Sequence, residues 1–120
     1  MEWKIENAIN KSFWHVTTKD KQLLISKSGI NQSDDGNLGD GVYCVETGDI
    51  NSLKSVLGLE SFSDNGYKLK DLILIEFQYS GDYQIFKPLM RSYNNEIWIV
   101  IKNNISYSEI VKIIDAKNMV

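Results

Sequence analysis

Lys68 to Ser80 reads KLKDLILIEFQYS, and inside it Leu72 to Ile75 is an apolar run with no polar interruption. A half-buried strand alternates between apolar and polar residues, so a run that does not alternate belongs to a strand covered on both faces. A domain must therefore lay structure on either side of this segment. With 120 residues the chain has room for that as one domain, burying about two-thirds of its unfolded surface. Its 42% hydrophobic and 24% charged residues place it with folded globular chains rather than disordered ones. No repeat, low-complexity tract or linker-like stretch marks a boundary, so residues 1–120 are expected to form one domain.

The rest of the pattern predicts an α+β order. Phe13–Thr17 is short, aromatic and β-branched, as a strand requires. Helical spacing follows over roughly 19–27, with Thr17 or Thr18 to cap it and Gly29 to stop it. NQSDDGNLGDG is a polar loop, and Gly41–Val45 (GVYCV) is a strand. TGDINSLKSVLG predicts a second helix, begun by Thr47 or Asp49 and ended by Gly58. After Lys68–Ser80 a turn is expected at Gly81-Asp82, with GDYQIF returning as a paired strand. Asn95–Lys102 and Ser108–Ala116 complete a mainly antiparallel, split sheet arrangement with two or three short helices.

Composition excludes several classes. A formal charge of −3 argues against a broad basic face for nucleic acid. A single cysteine, Cys44, allows no internal disulfide and no multi-thiolate zinc site, and reads as a small buried hydrophobe. No metal-ligand cluster is visible, so metal independence is expected. The first residues resemble neither a signal nor a transit peptide. No apolar run approaches the ~20 residues of a membrane span, so the expected setting is cytoplasmic, or a host cytoplasm after delivery. No glycine-rich fingerprint links a strand to a helix, which leaves Rossmann and P-loop nucleotide sites without support.

Three polar side chains sit in or at the edge of apolar strands: His15, Tyr43 and Glu96. Each has a bland reading, as a hydrogen-bonded packing histidine, a strand aromatic and a solvated carboxylate. Together with their surroundings they carry a resemblance. FWHVTTKDKQLLISKSGI is similar to the opening strand and helix of the poly(ADP-ribose)-polymerase-like ADP-ribosyltransferases. LGDGVYCV resembles that family's GxGIYF strand, and SYNNEIWIVIKNNISYSEIVKI resembles its later glutamate strand. The pieces occur in the family's order and cover about half of the chain.

The resemblance implies a His15–Tyr43–Glu96 triad acting on NAD as ADP-ribose donor. Glu96 would stabilise the oxocarbenium-like ribose formed when nicotinamide leaves. Tyr43 would stack on the nicotinamide ring. His15 would hold the adenosine ribose hydroxyls through one ring nitrogen while a backbone group fixes the other. Val16 would offer its main chain to the carboxamide, and Thr17, Gly41, Asn51 and Ser52 complete the expected dinucleotide contacts. Asn94 and Arg91 are expected on the acceptor side.

The implied activity is mono-ADP-ribosyl transfer to a macromolecule, a protein rather than nucleic acid given the charge. For a stand-alone core of this size, the resemblance implies a microbial or phage effector, toxin or counter-defence protein. NAD hydrolysis and a non-catalytic NAD, ADP-ribose or protein-binding module are the alternatives. The chain departs from the family pattern at Val16, where the family has glycine. It also has no aromatic residue between Cys44 and Ser61, and it carries Asn94 where acceptor-selecting Glu or Gln occurs.

Overall fold

The computed structural model describes residues 2–33, 40–46, 69–87 and 98–116. They form β1 (Glu2–Thr18), α1 (Gln22–Ser28), β2 (Val42–Glu46), β3 (Leu72–Lys87), β4 (Trp98–Ile101) and β5 (Ile110–Asp115). Every strand pairing among them is antiparallel. The expected α+β class holds at this level, with one α-helix among the described residues. The helix expected around residues 47–58 lies outside them.

β1 and β3 are long strands that pair from Glu2↔Lys87 to Thr18↔Leu72. β2 joins β1 through Phe13↔Glu46 and Trp14↔Val45. It pairs on its other edge with β4, and β4 returns to β3 at residues 84–86. The pairings thus close a circuit, β1–β2–β4–β3–β1, and β5 attaches to β3 over residues 73–77.

The turn expected at Gly81-Asp82 is not there. β3 runs through both residues, and GDYQIF continues the same strand rather than returning beside it. The register slips between Ala8 and Lys11, with Asn10 at φ 48° and Gly81 at φ 141°. Glycine inside a strand marks a bulge or a bend as readily as a reversal. The neighbouring β1 decides the matter here, because it offers a pairing edge on both sides of the glycine. The ribbon bends and does not reverse.

The circuit encloses the main core. Val42 and Cys44 from β2, Ile99 and Ile101 from β4, Phe13 from β1, and Ile73, Ile75, Phe77, Tyr79 and Tyr83 from β3 pack together. Phe13 meets Tyr83 edge-on, with ring centroids 5.3 Å apart. A second cluster of Trp14, Val16, Val45, Leu72, Leu74 and Ala116 occupies the reverse face of the sheet. Leu72 to Ile75 therefore contribute to both cores in alternation, each at most 2% exposed, as the unbroken apolar run requires.

The predicted first helix is present, as Gln22–Ser28. A 3₁₀ turn over Lys19–Lys21 precedes α1. Ile25 turns inward as the buried residue of α1, while Leu23 and Leu24 remain exposed. Gly29, at φ 75°, ends the helix where a Cβ would lie 2.0 Å from the Ile105 carbonyl oxygen. That close approach lets Ile30 and Ile105 exchange two backbone hydrogen bonds of 2.8 Å.

Candidate functional site

β1 and β2 pair at Phe13↔Glu46 and Trp14↔Val45 and then separate, although β1 continues to Thr18 and β2 begins at Val42. The sheet forks at this point. His15 is the first β1 residue past the last pair, and it bridges the gap. Its Nδ1 lies 2.7 Å from the Tyr43 main-chain oxygen. A carbonyl oxygen only accepts, so Nδ1 carries the proton and donates it. In the neutral ring Nε2 is left as an acceptor, and it has no hydrogen-bond partner among the described residues.

Burial pushes the His15 imidazole below its ordinary pKa. The bond to the Tyr43 carbonyl opposes that shift, and the positive charge of Lys21 adds to it. The ring is thereby kept neutral at neutral pH, with one nitrogen fixed by main chain. That is the tautomer required of a residue that accepts a hydroxyl hydrogen bond rather than acting as a cation.

His15 lies opposite Ile75 in the β1–β3 ladder and shares the face of Phe13, the main-core face. Tyr43 alternates with Val42 and Cys44, which face that core, so its ring leaves β2 on the side of Val45 and Val16. The imidazole thus meets Tyr43 through its main chain, and the two rings stand on opposite faces of the fork.

Val16 and Thr17 follow His15 on β1 and are buried, Val16 at 4% exposure. Gly41 enters β2 where a Cβ would come within 2.4 Å of Val100 Cγ1, so no larger residue fits. It also closes the preceding loop, exchanging backbone hydrogen bonds of 2.9 and 3.2 Å with Ser33. Glu96, Asn94, Arg91, Asn51 and Ser52 lie outside the described residues; of His15, Val16, Thr17, Gly41 and Tyr43, the structure joins His15 to the Tyr43 main chain and sets Gly41 against Val100 and Ser33.

Two features have no signature in the sequence. Lys21, in the 3₁₀ turn that follows β1, acts electrostatically on His15. Lys11 forms an ion pair of 2.7 Å with Glu46 and donates a 3.1 Å hydrogen bond to the Tyr83 hydroxyl. Cys44 is fully buried, and burial, with the Glu46 charge adding, pushes its thiol well above the usual range. Among the described residues no three His, Cys, Asp or Glu side chains gather as a metal site, and no helix is long and apolar enough to cross a membrane. No protein-family model, curated protein or solved structure matches the chain.

Proposed function

We propose that this protein is an NAD-dependent mono-ADP-ribosyltransferase whose dinucleotide crosses the fork between β1 and β2. The observation that carries this reading is the His15 imidazole, held through Nδ1 by the Tyr43 carbonyl at 2.7 Å with Nε2 left as an acceptor. A ribose hydroxyl is the complementary donor. On the other face of the fork the Tyr43 ring is assigned the nicotinamide from the sequence resemblance. An extended dinucleotide spanning the fork would place adenosine at His15 and nicotinamide at Tyr43. Glu96 is assigned the ribose cation from the sequence resemblance, and Asn94 and Arg91 the side from which a protein acceptor enters.

Val16 favours a second reading. Its side chain belongs to the reverse-face core and stands on the face where the nicotinamide ring would lie. A site narrowed in this way binds ADP-ribose more readily than it positions NAD for cleavage, which describes a non-catalytic ADP-ribose or NAD-binding module.

Incubation with NAD labelled in the adenylate moiety separates these readings. The transferase predicts nicotinamide release and label on macromolecules, both abolished in Glu96→Gln, whereas His15→Ala weakens binding more than it slows turnover at saturation. Label recovered wholly as free ADP-ribose assigns NAD hydrolysis. A thermal shift with ADP-ribose but no nicotinamide release assigns the binding module. Absence of both a shift and release refutes the nucleotide site altogether.

A further inference from the structure

The circuit of strands is closed unequally. β1 and β3 pair along their whole lengths, whereas over the described residues β1 meets β2 at Phe13↔Glu46 and Trp14↔Val45. A side-chain bridge flanks the described pairs on either side. On the fork side it is the His15–Tyr43 hydrogen bond of 2.7 Å. At the other end, Lys11 Nζ lies 2.7 Å from Glu46 Oε1 and also reaches the Tyr83 hydroxyl of β3. Those hydrogen bonds, Glu46 first and Tyr83 second, raise the Lys11 ammonium above its ordinary pKa. Directly behind the seam lie Phe13, Val42 and Cys44, none more than 1% exposed.

Native proteins open locally where the fewest backbone and packing interactions must break together. Over the described residues, lifting β2 from β1 breaks two ladder pairs and the two bridges. The β1–β3 ribbon, the β2–β4 pairs and the β3–β4 pairs survive that movement. We propose that the strand circuit opens along the β1–β2 seam, with Lys11–Glu46 as its latch, and that this opening exposes Cys44 while the β1–β3 ribbon stays folded. The inference rests on the strand circuit and is independent of the nucleotide reading.

Cys44 is the single cysteine of the chain, so every thiol label reports this seam. The full-length protein is treated with excess aromatic disulfide reagent across a urea series at neutral pH. The Cys44 thiolate attacks one reagent sulfur, a mixed disulfide forms and the coloured aromatic thiolate departs. The expected result is labelling faster than global unfolding allows, with a urea slope well below that of the global transition.

Lys11→Met removes the latch and leaves the Glu46 charge in place. It should speed labelling by about twofold to fivefold, the range of an exposed ion pair. Lys4→Met is the control, because its pair with Glu6 lies within β1 and off the seam. Raised salt should speed wild-type labelling and leave Lys11→Met unchanged, since the latch is solvent-exposed and screened. A wild-type rate that follows global unfolding with its full urea slope overturns the proposal. So does labelling of Lys11→Met no faster than that of Lys4→Met.

Discussion

The two halves of the β1–β3 ribbon are built from the same strands and obey different rules. In the half nearer α1, residues 11–18 against 72–79, Phe13, Ile73, Ile75 and Phe77 face the main core. Trp14, Val16, Leu72 and Leu74 face the second core. In the far half, residues 2–8 against 81–87, Tyr83 and Ile85 face inward, while Ile5 is 58% exposed and Asn7 and Asp82 meet at 2.9 Å on the outside. One half is a central sheet layer and the other a wall with a wet side. The difference teaches that burial on two faces is a local property of a strand, decided by what covers each stretch.

Alanine substitution tests this contrast most severely. Ile73→Ala and Leu74→Ala each remove a buried branched side chain, from opposite faces, and each should cost about 2–5 kcal/mol. Ile5→Ala, on the outside of the far half, should stay within about 0.5 kcal/mol. Chemical denaturation of the three variants measures all of these. If Leu74→Ala were as mild as Ile5→Ala, the reverse face would not be a core, and the contrast would collapse.

This contrast was legible in the sequence only in part. LILI announces two-sided burial because no polar residue interrupts it, and GVYCV and IVKIID read correctly as strands. The bend at Gly81 was not legible. A Gly-Asp step satisfies the local chemistry of a turn, and what overrides it is the β1 edge running alongside, some seventy residues earlier in sequence. At the fork, His15 stood out as a lone imidazole in an apolar strand. Its bond partner was not readable, because a main-chain carbonyl carries no residue identity. The latch partners Lys11 and Glu46 belong to no motif and carry no pairing signal in the sequence.

The bend between the halves has its own fastening. The Tyr79 hydroxyl donates to the Asp82 carbonyl at 2.8 Å and accepts from Asn103 Nδ2 at 2.9 Å. Tyr79→Phe strips both partners and should cost about 1–2 kcal/mol, since the groups are part-buried. A Cβ on Gly81 would lie 2.7 Å from that hydroxyl. Gly81→Ala should therefore be less damaging in the Tyr79→Phe background than alone, a coupling that a double-mutant cycle measures. Strict additivity would show that the hydroxyl does not crowd the glycine.

Acid acts on the central half through His15. Burial, partly offset by the Tyr43 carbonyl, sets its native pKa below the ordinary value, with Lys21 adding to the depression. Between the native value and the unfolded value of about 6.5, the unfolded chain binds more protons, so stability falls as pH falls. The contribution is complete above about 6.5 and is lost as pH drops through the native pKa. His15→Gln keeps a donor for the Tyr43 carbonyl and does not titrate. The difference in unfolding free energy between wild type and His15→Gln should therefore shrink or reverse from pH 7.5 down to about 5. A constant difference over that window would mean that the imidazole is not desolvated.

The smallest effect expected is the most specific to the fork. Lys21 is exposed, so its influence on His15 crosses a partly aqueous path and is modest at any salt concentration. Lys21→Met removes a like charge and should move the His15 titration upward, as read from the single histidine resonance by NMR. Lys27→Met, at the far end of α1, should leave it in place. Raised ionic strength should mimic Lys21→Met in the wild type and have little effect in the variant. If neither substitution moves the resonance, the Lys21 charge does not reach His15. Burial and the Tyr43 carbonyl alone would then set the imidazole, and the ring would owe its neutrality to the central half of the ribbon with no contribution from the surface above it.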